Sequence, residues 1–363
     1  MIPSLTSPSS EEPPSHTSDV EEHNVKLHDA ESEPQPIDPR PLTPDNQKLK
    51  GNLQLIDECD NFPYFHKETR RYMQHINTYY HFQVSAYPDV TLGYVLPSVA
   101  EIFRGLPAWE VNDENRTLTL IHGKDEAERS SIVASTCSAM HETGHFTILK
   151  GWRNELYPVY GPKRDLLFSV ERAASALFGI VTYGCHMTAY VRSKESGQIK
   201  IWTPRRAKTK QTYGGMLDNT VAGGIATGED AFEGLVREAA EEASLPEDVV
   251  RKDVKATGIV SYFHIRDSRA GGETGLLQPE VQYIYDLELA EDVVPKPSDD
   301  EVEQFYLLTV DEVKEHLRNS EFKPNCALVL LDFFVRHGIL TAQDEDYIEI
   351  VARLHRILEF PTK

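Results

Sequence analysis

The 363-residue sequence is poor in cysteine, tryptophan and methionine, with four, three and five residues respectively. Cys59, Cys137, Cys185 and Cys326 lie far apart and form no Cys-x-x-Cys pair. That spacing argues against a disulfide framework or a structural zinc site and fits reduced thiols inside a cell. Long apolar runs are missing as well. The best, residues 327–335, is short and contains Asp332, whereas a membrane-spanning helix needs roughly 18 apolar residues. No membrane association is therefore expected. The start of the chain lacks a basic stretch followed by an apolar one, and it is too acidic for a transit peptide, so a cytoplasmic location is expected. Basic charge is scarce: 37 Lys and Arg face 58 Asp and Glu, a formal charge of −21. Such a field repels polyanions, and nucleic acid is not an expected partner.

Residues 1–50 contain no Phe, Trp or Tyr, nine of the 22 prolines, and ten acidic against four basic side chains. That composition cannot bury enough apolar surface to offset ordering entropy, so a disordered tail is expected there. Residues 51–180 mix helix and strand signals and read as a small α/β domain. The turn cluster at 112–115 joins two strand-like stretches into a hairpin. Residues 125–140 read as a helix, and 166–178 as another, closed by Gly179. Residues 181–363 form the second domain. Strand signals fall at 186–192, 198–202, 256–265, 280–289 and 302–308. A glycine-rich turn, residues 223–228, precedes a strong helix at 229–243. Thr309 and Glu312 have capping-box spacing, and Asn325 and Gly338 mark the ends of a further helix. The mixture fits an α/β sandwich. Oligomeric state is left open.

The helix at 229–243 carries the chemistry. Phe232, Leu235, Val236, Ala239 and Ala243 recur at helical spacing and make one apolar face. Glu238, Glu241 and Glu242 sit at i, i+3 and i+4, so their carboxylates converge. Like charges at such spacings oppose the helix by about 0.2–0.5 kcal/mol per pair. The C-terminal end of the macrodipole adds to that cost. Arg237 offsets only part of it. A divalent cation resolves the conflict, and an all-oxygen donor set favours Mg²⁺ or Mn²⁺ over zinc.

Read together, Gly223-x5-Glu229-x7-Arg237-Glu238-Ala239-x-Glu241-Glu242-x-Ser244-Leu245 resembles the Nudix box. The resemblance implies an α/β/α sandwich and hydrolysis of a diphosphate. Glu238, Glu241 and Glu242 would hold the metal, helped by a backbone carbonyl near Gly223, and Glu229 would pair with Arg237 to orient loop and helix. One of the glutamates, or an acid outside the box, would act as general base. Glu301 and Glu303 are the candidates outside, although an exposed acidic loop explains them equally well. Ser244 departs from the usual glycine.

A narrower resemblance extends over residues 52–360. It is carried by Ile201-Trp202-x-x-Arg205-Arg206-x-x-x-Lys210, Gly215-Met216-Leu217-Asp218-Asn219, Ala222-Gly223-Gly224, Gly151-Trp152-Arg153-x-Glu155 and Arg336-His337-Gly338. These resemble fungal and plant Nudix proteins related to the Nudix portion of thiamine pyrophosphokinase fusions. Gly214 departs from that group's usual proline. The resemblance implies a thiamine diphosphate analogue as substrate, notably the damaged oxy and oxo forms, cleaved to the monophosphate and phosphate. Residues 192–210 carry seven basic side chains against one acid, Glu195, which suits a small phosphorylated ligand. Arg205, Arg206 and Lys210 are the candidate phosphate contacts, with Gly223 and Gly224 beside them. Adjacent residues on an extended segment face opposite ways, so one arginine is expected to reach the site. Trp152 and Tyr157 suit either core packing or a stack on a substrate ring.

Four other readings are weaker. A nucleoside-diphosphate derivative such as ADP-ribose is the alternative substrate. An isopentenyl diphosphate isomerase would need a cysteine after Asp218-Asn219, where Thr220-Val221-Ala222 stands. A silent metabolite-binding module would not need every box glutamate. His141-Glu142-x-x-His145 matches a zinc-protease motif, but Gly144 and the strand-like residues after it break the helix that motif requires, and Glu171 is the only convenient third ligand.

Overall fold

The apolar periodicities noted above become real elements in most of the chain, and long-range pairing overrides them in a few places. The computed structural model describes residues 49–298 and 300–363. The expected tail, 1–50, lies outside them apart from its last two residues. Two eight-residue helices come first, α1 (Asn52–Cys59) and α2 (Thr69–Ile76). Strands β1 (Tyr80–Val84) and β2 (Gly93–Val95) follow, then a one-turn helix, α3 (Pro97–Ala100). Strands β3 (Trp109–Asn112) and β4 (Thr117–Leu120) are the hairpin expected around 112–115, and the four strands form a sheet in the order β2-β1-β4-β3. Helix α4 (Glu126–Glu142) opens on Asp125, whose carboxylate accepts from the Glu128 N–H.

The run 166–178 is not one helix. Its first half is strand β6 (Leu166–Glu171), paired with β5 (Leu156–Tyr160), and only α5 (Ser175–Phe178) is α-helical. A continuous apolar run has no period that separates buried strand from buried helix. The partner strand decides it. Gly179 still ends the segment in the left-handed region, at φ 60°.

The second part holds β7 (Thr182–Arg192), β8 (Ile199–Arg206), β9 (Val221–Gly224), α6 (Ala231–Ala243), α7 (Glu247–Asp253), β10 (Lys255–Ile265), β11 (Leu277–Glu288), β12 (Val302–Thr309), α8 (Val310–Arg318), α9 (Pro324–Arg336) and α10 (Tyr347–Arg353). The central sheet runs β10-β11-β7-β8-β12, with β9 beside the first half of β7. Side chains alternate across β7. Tyr183, Cys185, Met187 and Ala189 pack with Leu235, Val236 and Ala239 of α6. Tyr190 faces the other way and packs with Leu328, Leu331 and Phe333 of α9. Helices thus cover both faces, an α/β sandwich with a smaller mixed α/β part before it. Among the described residues no helix is long and apolar enough to cross a membrane.

Three boundaries differ from expectation. Helix α6 begins at Ala231 because Asp230 caps it, accepting from the Phe232 N–H at 2.9 Å; Glu229 therefore stands before the helix. Gly223 and Gly224 belong to strand β9, and Gly228, at φ 83°, makes the turn. Pro324, favoured in a first helical turn, opens α9 and moves Asn325 inside it. Ser244 takes the left-handed cap at φ 51° that glycine would take without strain.

The two ends of the described chain meet at Asp60. Only 1% exposed, it accepts from the Phe263 N–H at 3.0 Å, Arg356 Nη1 at 2.9 Å and the Tyr64 hydroxyl at 2.5 Å. Removing one partner of a buried ion pair strands the other charge. Asp60→Ala is expected to lose about 3–5 kcal/mol of unfolding free energy, read from guanidinium denaturation. A loss below about 1 kcal/mol, the scale of an exposed pair, would reject that role.

Candidate active site

Strand β9 lies against the glutamate-bearing side of α6, and absent side chains make that approach possible. A Cβ on Gly223 would stand 2.2 Å from the Glu238 carboxyl carbon. One residue earlier on β9, the Ala222 N–H donates to Glu242 Oε2 at 3.1 Å. Glu238 and Glu242 are thereby held to the backbone of β9, and Glu241, one turn beyond Glu238, projects from the same side of the helix with about half its side chain exposed. Burial, then the neighbouring Glu238 and Asp218 charges, pushes the Glu242 carboxyl up to about 8. Burial raises Glu238 as well, against the pull of Arg237.

Arg237 ties the cluster together. Its Nε and Nη2 grip Glu229 at 2.9 and 3.2 Å, and its Nη1 reaches Glu238 at 2.9 Å and Glu241 at 3.0 Å. Glu229 also accepts from the Ala226 N–H at 3.1 Å, which fixes the loop between β9 and α6. A guanidinium fork with this geometry holds carboxylates in defined directions.

Gly223, Arg237, Glu238, Glu241 and Glu242 border a cavity of about 440 Å³, within the range of small-molecule sites. Arg206, Lys210, Arg172 and Lys323 bring positive charge to the same cavity. Arg206 is paired with buried Asp218 at 2.5 Å. Burial pushes the Asp218 carboxyl up, but the Arg206 and Lys323 charges outweigh it and hold it well below the usual range. Lys210 is bonded to Glu301, and Arg172 pairs with Glu155 at 2.7 Å beside the Tyr157 ring. Lys323 forms no ion pair with a described residue. Gly223 and Gly224 line the cavity too; a Cβ on Gly224 would meet the Tyr157 hydroxyl at 1.9 Å.

Two proposed contacts lie elsewhere. Arg205 faces away from the cavity, donating to the Gly215 carbonyl at 2.8 Å and lying over the Tyr306 ring, because neighbours on β8 point to opposite sides. Glu303 is exposed on β12 and does not border the cavity, whereas Glu301 does. Tyr157 is both buried core and cavity wall; Trp152 stacks on His141 at 4.6 Å. The helix of the zinc-protease motif ends as expected, α4 at Glu142 with Gly144 at φ 63°, but the strand-like residues after it form a 3-10 turn, Thr147–Gly151, with no described strand paired beside them; buried Glu171 accepts the Arg153 N–H. Another group with metal-ligand atoms, His186, Asp218 and Cys326, lies within 4.8 Å. Its members are already committed: Asp218 accepts from Arg206 and Cys326, and His186 bonds Asn219 at 2.7 Å.

Sequence reasoning passed over Arg172 and Lys323, and with them Tyr262, His264, Glu280 and Gln282, which line the same cavity. Gln278, Glu280 and Gln282 alternate along β11, an inner strand, and that polar period within an apolar strand was the available signal.

Two family models match the chain: a domain of unknown function (DUF4743) over residues 54–182 and the NUDIX domain over 186–326. Nudix hydrolase 24, chloroplastic, of Arabidopsis thaliana is 31% identical over 98% of this chain and 93% of its own length. Nudix hydrolase 20, chloroplastic, of the same plant is 35% identical over 85% of this chain and 74% of its own. Uncharacterized protein YJR142W of Saccharomyces cerevisiae is 42% identical over 69% and 74%.

Gly223→Ala tests the contact on which the wall depends. The added methyl must displace Glu238, and activity is expected to fall about 100-fold, the effect of misplacing a catalytic group by about 1 Å. Phosphate release measures it, with the thermal midpoint as control. Retention of more than half the activity would show that Glu238 does not need this position.

Proposed function

We propose, from the premise that this chain belongs to the Nudix hydrolase family, that it removes the terminal phosphate of a damaged thiamine diphosphate. It is a diphosphate-hydrolysing enzyme, and members of the family generally use divalent metal ions. The observation carrying the proposal is the single cavity in which an acidic wall of Glu238, Glu241 and Glu242 faces the cations Arg206, Lys210, Arg172 and Lys323. The choice of thiamine rests on the resemblance of residues 52–360 to the narrower group, whose oxo and oxy forms are the expected substrates.

The donor set fits Mg²⁺ or Mn²⁺. It consists of carboxylate oxygens with a bare Gly223 backbone beside them, and a hard cation favours the ionised form of carboxyl groups that otherwise raise one another's pKa. When bound, such an ion stabilises negative charge developing on the phosphoryl oxygens. The protein's own groups do the rest. Arg206, Lys210 and Lys323 hold the diphosphate oxygens, and Arg172 closes the wall opposite α6. Arg237, anchored by Glu229, fixes the directions of Glu238 and Glu241. Glu241 is the most open of the three carboxylates and takes the proton as water attacks the terminal phosphorus. Glu301, bonded to Lys210 and held below the ordinary carboxyl range despite burial, orders the phosphate grip. As the new P–O bond forms, the bridging P–O bond breaks and the monophosphate leaves.

Hydrolysis of thiamine diphosphate, its oxo and oxy forms, ADP-ribose, NADH and coenzyme A, with and without Mg²⁺ or Mn²⁺, tests the reading, with the monophosphate products separated and quantified by chromatography. The damaged thiamine forms are expected to have the highest kcat/KM. If ADP-ribose led by a wide margin, the thiamine assignment would be lost and the hydrolase would remain. Glu241→Gln and Glu242→Gln are each expected to lower kcat by about 100-fold or more, the scale of removing one charge-stabilising group, without loss of fold. Near-normal rates in both would remove the box glutamates from the mechanism.

A further inference from the structure

One side of the cavity is built by the part of the chain before β7, and two side chains there keep hydrogen-bond donors that the fold does not use. Tyr157 of β5 is only 6% exposed, and its ring packs in the apolar core of that part. Its hydroxyl has no hydrogen-bond partner among the described residues, yet the oxygen is not sealed in the core; it opens into the cavity. Phenylalanine would supply the same packing without the hydroxyl. Gly224 of β9 makes room for it, since a Cβ there would stand 1.9 Å from the hydroxyl oxygen.

Arg172 follows β6, the partner of β5. Its backbone N–H donates to the Glu155 carbonyl at 2.8 Å, and its Nη1 donates to Glu155 Oε2 at 2.7 Å. The guanidinium lies 5.6 Å from the centre of the Tyr157 ring. These contacts fix its direction with a third of the side chain still open, and Nε and Nη2 have no partner among the described residues. Burial raises the Glu238 carboxyl, and the Arg237 and Arg172 charges oppose that rise, so Arg172 stands within reach of the acidic wall. Arg237 itself is occupied by Glu229, Glu238 and Glu241. A phosphoryl group held beside those carboxylates therefore needs donors from another element. A guanidinium edge and a phenol hydroxyl are both donors at neutral pH.

We propose that the Tyr157 hydroxyl and the free N–H groups of Arg172 form an anion clamp, contributed to the active site by the part of the chain before β7, that donates to non-bridging oxygens of the phosphoryl group held beside Glu238. The clamp rests on the reading of this cavity as the site of a diphosphate substrate, and it gives the accessory part a direct share in binding and hydrolysis. It grips phosphate and leaves the rest of the substrate to other side chains, because Tyr157 offers only its hydroxyl and keeps its ring in the core.

Tyr157→Phe removes a hydroxyl that no described residue uses, so the thermal midpoint is expected to stay at the wild-type value. Its kcat/KM is expected to fall about tenfold or more, the scale of one lost hydrogen bond to a charged group. Every compound in the substrate panel carries the diphosphate, so the factor is expected to be the same for each one that is hydrolysed. Arg172→Gln is expected to lose more, and Arg172→Lys, which keeps the charge, to lose less than Arg172→Gln. Unchanged kcat/KM in Tyr157→Phe would overturn the clamp. So would a loss on one substrate and not on another, which would set Tyr157 against the ring. A second measurement needs no turnover. Calorimetric affinity for imidodiphosphate, a diphosphate analogue that resists hydrolysis, is expected to weaken about tenfold in Tyr157→Phe when Mg²⁺ is present. Equal affinity in variant and wild type, or no binding by the wild type, would also overturn the clamp. If ADP-ribose is cleaved and the thiamine compounds are not, the thiamine assignment fails and the loss on ADP-ribose decides the clamp. If no compound is cleaved, the hydrolase reading fails and the imidodiphosphate affinities decide it.

Discussion

Two carboxyl groups of helix α6 are pressed against the backbone of strand β9, and the site is arranged around that contact. Gly223 leaves room for Glu238, and the Ala222 N–H holds Glu242 at 3.1 Å. Buried carboxyl groups so close to one another resist ionisation, which is why Glu242 is pushed up to about 8. Among the described residues one cation pairs directly with the cluster, Arg237, and much of it is spent on Glu229. Three consequences follow from one packing decision. The helix must start late enough for Glu229 to reach back, which Asp230 ensures by capping. The strand must be bare. The remaining negative charge calls for a hard cation, and the family's general use of divalent metal answers it.

The formal charge of −21 conceals this polarity. An acidic surface steers anions away, yet the cavity gathers Arg206, Lys210, Arg172 and Lys323. Arg206 and Lys210 are not idle ions waiting for ligand. Each is fixed by a buried or half-buried acid, Asp218 and Glu301, that orients it and offsets its desolvation. Lys323, without an ion pair among the described residues, is the more adaptable member. A fixed grip with one adjustable cation is suited to a diphosphate whose charge changes on cleavage.

The box was legible because its physics is local. Carboxylates at i, i+3 and i+4 converge on any helix, whatever packs against it. Fold class was legible for a similar reason, from the alternation of apolar periods. What escaped was set by long-range pairing. Residues 166–171 are a strand only because 156–160 lie beside them. Arg205 and Arg206 look alike in sequence, and the pleat of β8 sends only the second to the cavity. Tyr262, His264 and Gln282 stand far from the box in sequence, and nothing local shows that His264 Nδ1 is already taken by the Cys59 carbonyl. The direction of Gln282's amide follows from a three-residue network across two strands.

The part before β7 is more than a neighbour of the catalytic half. Tyr157 and Arg172 border the cavity, and Gly224 can lie beneath the Tyr157 hydroxyl only because it has no side chain. The loop between β9 and α6 is held from the same direction, since Thr227 donates through its backbone N–H to the Leu156 carbonyl at 2.7 Å and through its hydroxyl to Ser169 at 3.0 Å. That loop carries Glu229, and Glu229 positions Arg237. A displacement of β5 would therefore pass through two hydrogen bonds and one guanidinium fork to the carboxylates of α6. The same strand contributes Tyr157 to the cavity wall. The shape of the cavity wall and the directions of the α6 carboxylates thus depend on shared residues, so changes to the accessory part are expected to alter both together.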